Sequence, residues 1–322
     1  MLEVMLDNRN GNLWDISSIV TDASWKTSRI GKPSTFGFSY VKGSPFEDSR
    51  FKLEPGDIIS VRKDGKGIFF GYVFTIDNGM EEKATVTAYD QIRYLQANDS
   101  YTFTNTTATA IIRRIINDYK LKAGSLAQTV YTIPNLAMKD KKLIDTICTA
   151  LQHTVVGEKK IYTFFDDYGE LALRNSEEML LEMWIGDGSL MTGYEYSRSI
   201  DDETYNYILM KRDSESKENP PIVWKDSSTI SKWGRLQLFK QIDQNMNNAQ
   251  INELGKNLLA LHNRERKKLT LEALGDLRVR AGCYLRVYLE EVAINQPFLV
   301  EECSHEQLEE DVSIMKLELK VI

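Results

Sequence analysis

A stretch at 53–89 comes back near the end of the chain, and that recurrence limits what the chain can fold into. LEPGDIISV (53–61) reads as a turn feeding an alternating strand, with Ile59 and Val61 on one face. The polar tip KDGKG (63–67) carries Asp64-Gly65, a strong hairpin signal. IFFGYVFTI (68–76), a second turn at Asn78-Gly79 and ATVTAY (84–89) complete a strand meander. In VRAGCYLRV (279–287), Gly282 falls on Gly56, Leu285 on Ile59 and Val287 on Val61. PFLVEEC (297–303) and the alternation of Met315, Leu317, Leu319 and Val321 follow at similar spacings. Any two antiparallel meanders share a period of two, so alternation alone does not establish a duplication. The matched glycine and the repeated order of strands favour one.

At 322 residues the chain exceeds one ordinary core and suggests two or three domains. With 42% hydrophobic and 10% aromatic residues it is globular in composition. Mean hydropathy is −0.37, and no apolar run approaches the roughly 20 residues that span a bilayer. The start, MLEVMLDNRN, lacks the basic and apolar regions of a signal peptide. Cys148, Cys283 and Cys303 suggest no disulfide framework and match no zinc spacing; His153, His262 and His305 form no ligand cluster. We therefore expect no metal and no cofactor, in a protein made in a reducing cytoplasm. A net charge of −7 argues against a face that holds nucleic acid.

The chain divides by period. Residues 1–94 are strand-rich: Leu2, Val4 and Leu6 alternate, Phe36, Phe38 and Tyr40 share a face, and Pro33, Pro45 and Pro55 punctuate. The count of short strands suits a small barrel or sandwich. Around Asn105 the period becomes 3.6, with Ala108, Ile111, Ile112, Ile115, Ile116 and Tyr119 on one stripe. Asn105, Thr106 and Thr107 are competent N-caps, and Gly124 lies past the end. A second helix is expected from Asp140 to before Gly157, then a hairpin of KIYTFF (160–165) and ELALR (170–174). These make an α+β insert over 95–185. Strands return at 186–240, with YEYSRS (194–199), TYNYILMKR (204–212) and a mobile loop SESKENPP (214–221). A helical insertion at 241–267 carries Ile251, Leu254, Leu258 and Leu261, with a basic last turn at Arg264, Arg266 and Lys267. The closing meander, 268–322, completes a second, split β domain. Strands 2–6 and 315–321 show little edge protection and are the expected contact edges.

Candidate chemistry is sparse. The pairs Asp166-Asp167, Asp201-Asp202 and Glu301-Glu302 could serve a glycosidase, although the first two sit where turns need Asp. Cys303 and His305 could form a nucleophile pair, but Cys303 continues a strand and no third group orients them. GDGSLMTG (186–193) fits no phosphate-loop frame. Trp184, Trp224 and Trp233 could stack on sugars or bases, or simply pack a core or subunit interface.

From 186 onward, DDETYNYILMKRD (201–213), VWKDSSTISKWGRLQ (223–237), AQINELGKNLL (249–259) and LEALGDLRVRAG (271–282) resemble the XkdQ/YqbQ-type proteins of Bacillus defective prophages. Upstream, LEPGD, IFFGYV, TVTAYDQIRYL and DDYGELALR occur in the order of that family, which is similar in turn to the baseplate hub of contractile phage tails. The resemblance marks Gly56, Asp57, Gly71, Asp90, Tyr205, Asn206, Trp224, Trp233, Gly234, Gly255, Gly275 and Gly282 as structural positions, and supplies no catalytic motif. It implies a mainly β fold with two tube-protein-like barrels, the second split, plus helical insertions. It implies a non-enzymatic homotrimer joining a sixfold tail tube to a threefold spike in the tail baseplate of a virion or phage-like particle. Other baseplate proteins would be neighbours, DNA would only pass through, and an acidic channel would not hold it. The alternatives are a tail-associated cell-wall hydrolase, needing two converging acids, and a carbohydrate-binding module using exposed tryptophans.

Overall fold

The computed structural model describes residues 1–43, 48, 50–79, 82–201, 203–212, 220–243 and 246–320. Pro45, Asp202, Asn245, Val321 and most of the 214–221 loop lie outside the described residues. The chain is mostly β. Its first part holds β1 (Leu2–Asp7), β2 (Leu13–Asp15), β3 (Thr21–Ser28), β4 (Thr35–Val41), β5 (Ile58–Lys63), β6 (Lys66–Asn78) and β7 (Lys83–Tyr89). Alternation does its usual work here: Leu2, Val4 and Leu6 turn inward with Phe36, Phe38, Ile59 and Val61. Asp64 and Gly65 both take positive φ, which the tight β5–β6 hairpin requires.

The insert follows as β8 (Asn98–Thr106), α1 (Ala108–Asp118), β9 (Ala123–Leu126), β10 (Ile133–Lys142), α2 (Leu143–Glu158), β11 (Tyr162–Asp166) and β12 (Leu171–Asn175). Thr107 caps α1, accepting from the Ala110 N–H, and Ile111, Ile112, Ile115 and Ile116 are fully buried. Each such isoleucine contributes roughly 1.5–3 kcal/mol by leaving water. α2 begins at Leu143 rather than Asp140, because β10 stays paired with β8 through Lys142↔Asn98.

The remainder comprises β13 (Leu180–Gly186), β14 (Met191–Ser199), β15 (Tyr207–Arg212), β16 (Ile222–Lys225), α3 (Ser227–Trp233), β17 (Gln237–Ile242), α4 (Asn248–His262), β18 (Arg266–Leu274), β19 (Tyr284–Leu289), β20 (Ile294–Glu306) and β21 (Ile314–Lys320). A capping box of Asn247 and Gln250 starts α4. The helix stops at His262, so Arg264, Arg266 and Lys267 lie beyond it and not in its last turn. Two assignments differ from the sequence reading. β13 joins the large sheet beside β19, whereas β15, β16 and β17 form a separate three-stranded sheet under α4. Of the strands expected from 186–240, only β14 enters the large sheet.

That sheet has 13 strands, in the order β14-β18-β21-β20-β3-β4-β7-β6-β5-β1-β2, with β19 pairing β20 and β13. Within it one strand order is present twice: β3-β4-β7-β6-β5-β1 and β14-β18-β21-β20-β19-β13. Numbered by position in the chain, both read 2-3-6-5-4-1. The first strand alone differs in direction, β1 running antiparallel to β5 and β13 parallel to β19. The strands expected to be bare edges are not bare. β1 lies between β5 and β2, and β21 between β18 and β20.

Candidate functional site at the joint between the two β units

The two units are welded by the long strand β20, and its sequence explains why it can serve two sheets. Its first half pairs β19 through Ile294–Leu299, and a bulge at Glu301 then re-aims it. The second half pairs β3: Glu302 faces Ser28, Cys303 faces Thr27, Ser304 faces Lys26 and His305 faces Trp25. β6 is built the same way, with a bulge at Phe74. The glycine pair sets both bends. Gly56, at φ 98°, donates to the Val73 carbonyl at 2.8 Å, and Val73 donates to Asp57 O at 2.9 Å. Gly282, at φ 94°, donates to Val300 O at 2.8 Å, and Val300 donates to Cys283 O at 2.9 Å. Only glycine takes that φ without strain.

Side chains lock the joint. Glu301 accepts two hydrogen bonds from the Arg29 guanidinium at 2.9 and 3.0 Å, while Lys26 and Lys32 meet Glu302 at 2.9 and 2.7 Å. Leu308, beyond β20, is fully buried in the core of the first unit. Lys63, almost buried, donates to the carbonyls of Leu308 and Glu310, each at 2.8 Å. Glu309 accepts from the Ala23 N–H at 2.9 Å. Sequence reasoning missed Lys63, Leu308 and Glu309, because a lysine at a hairpin tip and a leucine among acids look like surface.

The joint makes eight strands, β14-β18-β21-β20-β3-β4-β7-β6, one continuous sheet. The face turned from the cores bears Ser24, Thr75, Thr85, Thr87, Thr270 and Ser304 among charges. Several of its lysines meet carboxylates, most of them on other strands. Lys26 meets Glu302 at 2.9 Å, Lys268 meets Glu318 at 3.0 Å, Lys316 meets Glu306 at 3.2 Å and Lys320 meets Glu203 at 3.4 Å. Lys83 pairs with Asp22.

The candidate chemistry is placed elsewhere or sealed. Asp166 holds a turn, accepting from Gly169 N at 2.6 Å and Gln91 Nε2 at 3.0 Å, while Asp167 binds Arg174. Cys303 Sγ and His305 Nε2 do approach, at 3.3 Å, but both residues are 1% exposed. His305 Nε2 also lies 2.9 Å from Val279 O, and Trp25 stacks on the imidazole at 5.4 Å. Burial raises the Cys303 thiol well above its usual range and lowers the imidazole's affinity for a proton, so both groups are held neutral. Gly186 allows close passage, since a Cβ there would stand 1.7 Å from Tyr288 O. Of the tryptophans, Trp184 is exposed and edge-on to Tyr288, Trp224 covers Gly255, and Trp233 packs beside Lys232. Among the described residues, no group of three or more His, Cys, Asp or Glu could hold a metal, and no helix is long and apolar enough to cross a membrane.

The positions singled out by motif are mostly turns and close approaches. Asp57 accepts from Asn8 Nδ2 at 2.7 Å and Glu54 N at 2.8 Å. Gly71 passes Tyr89 O, where a Cβ would stand at 2.3 Å, and Gly275 passes Ser313. Asn206, fully buried, donates to Gly234 O at 2.8 Å and accepts from Leu236 N at 2.9 Å, while Tyr205 tilts against His262. Asp90 is buried between Ser34 N and Ile92 N, and burial and the nearby Asp166 push its carboxyl up to about 7. Arg280, unremarked in the sequence, covers the Phe165 ring at 3.9 Å and donates to Asp166 O.

Comparison with known proteins agrees over nearly the whole chain. The family model described as YQBQ-like matches residues 23–320. The chain is 34% identical to YqbQ of Bacillus subtilis over 262 residues, 80% of this chain and 79% of the relative. It is 31% identical to the phage-like element PBSX protein XkdQ of the same organism, over 81% of this chain and 80% of that one. Among solved structures, the 43 kDa tail protein of prophage MuSo2 from Shewanella oneidensis superposes with a TM-score of 0.72 at 12% identity, covering 98% of both chains. That last likeness is one of fold.

Proposed function

We propose that this chain, which belongs to the YQBQ-like family, is a structural hub subunit of a phage-type tail baseplate, trimerising between a sixfold tail tube and a threefold spike. The observation that carries this reading is the strand order 2-3-6-5-4-1 written twice in one chain, with the two copies already joined edge to edge. A trimer of such chains offers six near-equivalent docking surfaces to a sixfold partner and keeps threefold symmetry for the other. XkdQ, by its name a protein of a phage-like element, and the prophage tail protein with the shared fold support the setting.

In this reading the units are 1–94 and, split, the strands β13–β14 and β18–β21. The α+β insert and the small sheet under α4 stand beside them. The polar face of the eight-stranded sheet lines a central channel, where cross-strand carboxylates neutralise lysines that would otherwise retain a passing polyanion. In this reading the hub does no bond-breaking chemistry: among the described residues the Cys303–His305 pair is sealed and neutral, Asp166 serves a turn, and Asp167, Glu301 and Glu302 serve ion pairs. The test is to weigh the purified chain alone and mixed with its spike. Three copies per spike trimer is the expected result; a one-to-one monomeric complex, or no binding to spike or tube, would end the assignment.

A further inference from the structure

A cavity of about 490 Å³ lies where the insert, the joint and the end of α4 meet. That is the size of a small-molecule site, roughly 300–1,000 Å³. One wall comes from α2. Ile144, Cys148, Leu151 and Val155 stand at i, i+4, i+7 and i+11, a single stripe of that helix. Ile161, Phe164 and Leu261 extend the apolar lining. Cations supply much of the rest: Arg29 follows β3, Arg264 follows α4, Arg266 opens β18 and Lys320 ends β21.

Negative charge is short there. Glu301 holds Arg29 at 2.9 Å, and Glu203 alone serves both Arg266 at 3.6 Å and Lys320 at 3.4 Å. The other acid of the lining, Asp145, is exposed on the first turn of α2. Arg264 makes no side-chain hydrogen bond or ion pair among the described residues, and its Nε is buried without a partner. The Nε of Arg266 is buried and unpartnered as well. Burial, and then the neighbouring Arg266, lower the Arg264 guanidinium from its ordinary range, a penalty that an anion beside it would relieve. A buried donor left without an acceptor is costly, and a charged one more so.

We propose that this cavity binds a fatty carboxylate, whose head accepts from the Arg264 guanidinium while its hydrocarbon chain lies along the α2 stripe. The wall favours a hydrocarbon over a peptide. Its hydroxyls are already engaged, Thr149 Oγ1 donating to Asp145 O at 2.7 Å and Tyr162 Oη to Glu158 at 3.0 Å. A peptide laid there would bury N–H and C=O groups against Ile144, Leu151 and Val155, a cost that methylene groups do not carry. Each methylene that leaves water adds affinity instead. The site goes beyond the hub reading and does not depend on it, since every residue of the lining belongs to one chain.

The test uses the purified full chain and decanoate held below its micelle concentration. Binding is read by titration calorimetry and by the rate at which a thiol reagent labels Cys148, which lines the cavity. Burial pushes that thiol up to about 11, so its labelling is slow enough to time. Decanoate is expected to bind and to slow labelling about fivefold or more. Acetate, the head alone, and decanol, the chain with an uncharged head, should each bind about tenfold more weakly or worse. Arg264→Gln should weaken decanoate binding about tenfold, and Arg264→Lys should restore part of it. If Arg264→Gln does not fold, the acetate and decanol comparison on the unaltered chain decides alone. Decanol or acetate binding as tightly as decanoate, a folded Arg264→Gln that binds like the unaltered chain, or undiminished labelling of Cys148 would overturn the proposal. So would a short peptide ending in leucine that binds more tightly than decanoate.

Discussion

Asp90→Asn should change how stability depends on pH more than it changes stability itself. The Asp90 carboxylate is 1% exposed and accepts N–H groups from Ser34 at 2.8 Å and Ile92 at 2.9 Å. Those bonds favour the charged form, but burial and the Asp166 carboxyl outweigh them and push the group up to about 7. In the unfolded chain an aspartate titrates near 3.9. Between those values the folded protein holds a proton that the unfolded chain has released. The group's contribution to stability is therefore full below about 4 and is lost as pH rises through about 7. The limiting slope is about 1.4 kcal/mol per pH unit, so the window spans on the order of 4 kcal/mol as an upper bound.

Asparagine removes the titration but replaces one acceptor by an amide donor, a loss of about 1–3 kcal/mol for the orphaned N–H. At pH 5 the variant should therefore be the less stable protein. By pH 8, where wild type carries a buried charge, it should match or exceed wild type. The assay is urea unfolding of both proteins at half-unit steps from pH 4.5 to 8.5. Taking the difference cancels the other groups, apart from Asp166, which loses one neighbouring charge. A variant-minus-wild-type difference that stays flat across the range would refute the reasoning.

Other substitutions test the joint and the sealed groups. Leu308→Ala should cost about 2–5 kcal/mol in chemical unfolding, because a fully buried side chain leaves the first unit's core. Lys63→Met should cost about 1–3 kcal/mol, since the carbonyls of Leu308 and Glu310 lose their donor. Gly186→Ala should lower the melting temperature by more than either, because its Cβ would overlap Tyr288 O. A thiol reagent at neutral pH should leave Cys283 and Cys303 unlabelled in the native protein and reach all three cysteines after unfolding, since burial raises each thiol.

The duplication was legible because glycine is demanding. Gly56 and Gly282 hold one backbone conformation with one pattern of hydrogen bonds, and no periodicity argument was needed to align them. Partner choice was less legible. Tyr207–Arg212 alternates as any half-buried strand does, and the period carries no label for the sheet that receives it. β15 therefore read as part of the second β unit, although its neighbours are β16 and β17. The edge expectation failed for a similar reason. Leu2–Asp7 looks bare in sequence, but its partners lie some fifty residues away in β5 and across the turn in β2. Lys63 read as a solvated tip because the carbonyls that fix it come from the far end of the chain.

A duplicated chain with only one joint made has a consequence for when it assembles. Inside one chain, β20 and β3 meet at the effective concentration of a tethered pair, so that joint forms on folding. Among the described residues, the end of β6 and the outer edge of β14 have no such partner strand within the chain, and edges of that kind are open to wrong partners. Their side chains answer that risk. Asp77 stands on the first edge, and Arg198 on the second is held by Glu265 at 2.7 Å, whereas the made joint buries Thr27, Cys303, Trp25 and His305. Charge at the open edges weakens pairing between free subunits without forbidding it, because the paired strands still gain their backbone hydrogen bonds. In the proposed hub, assembly then depends on something that holds three chains in place. A threefold partner presenting three identical sites does that by raising local concentration, which orders assembly: partner first, ring second.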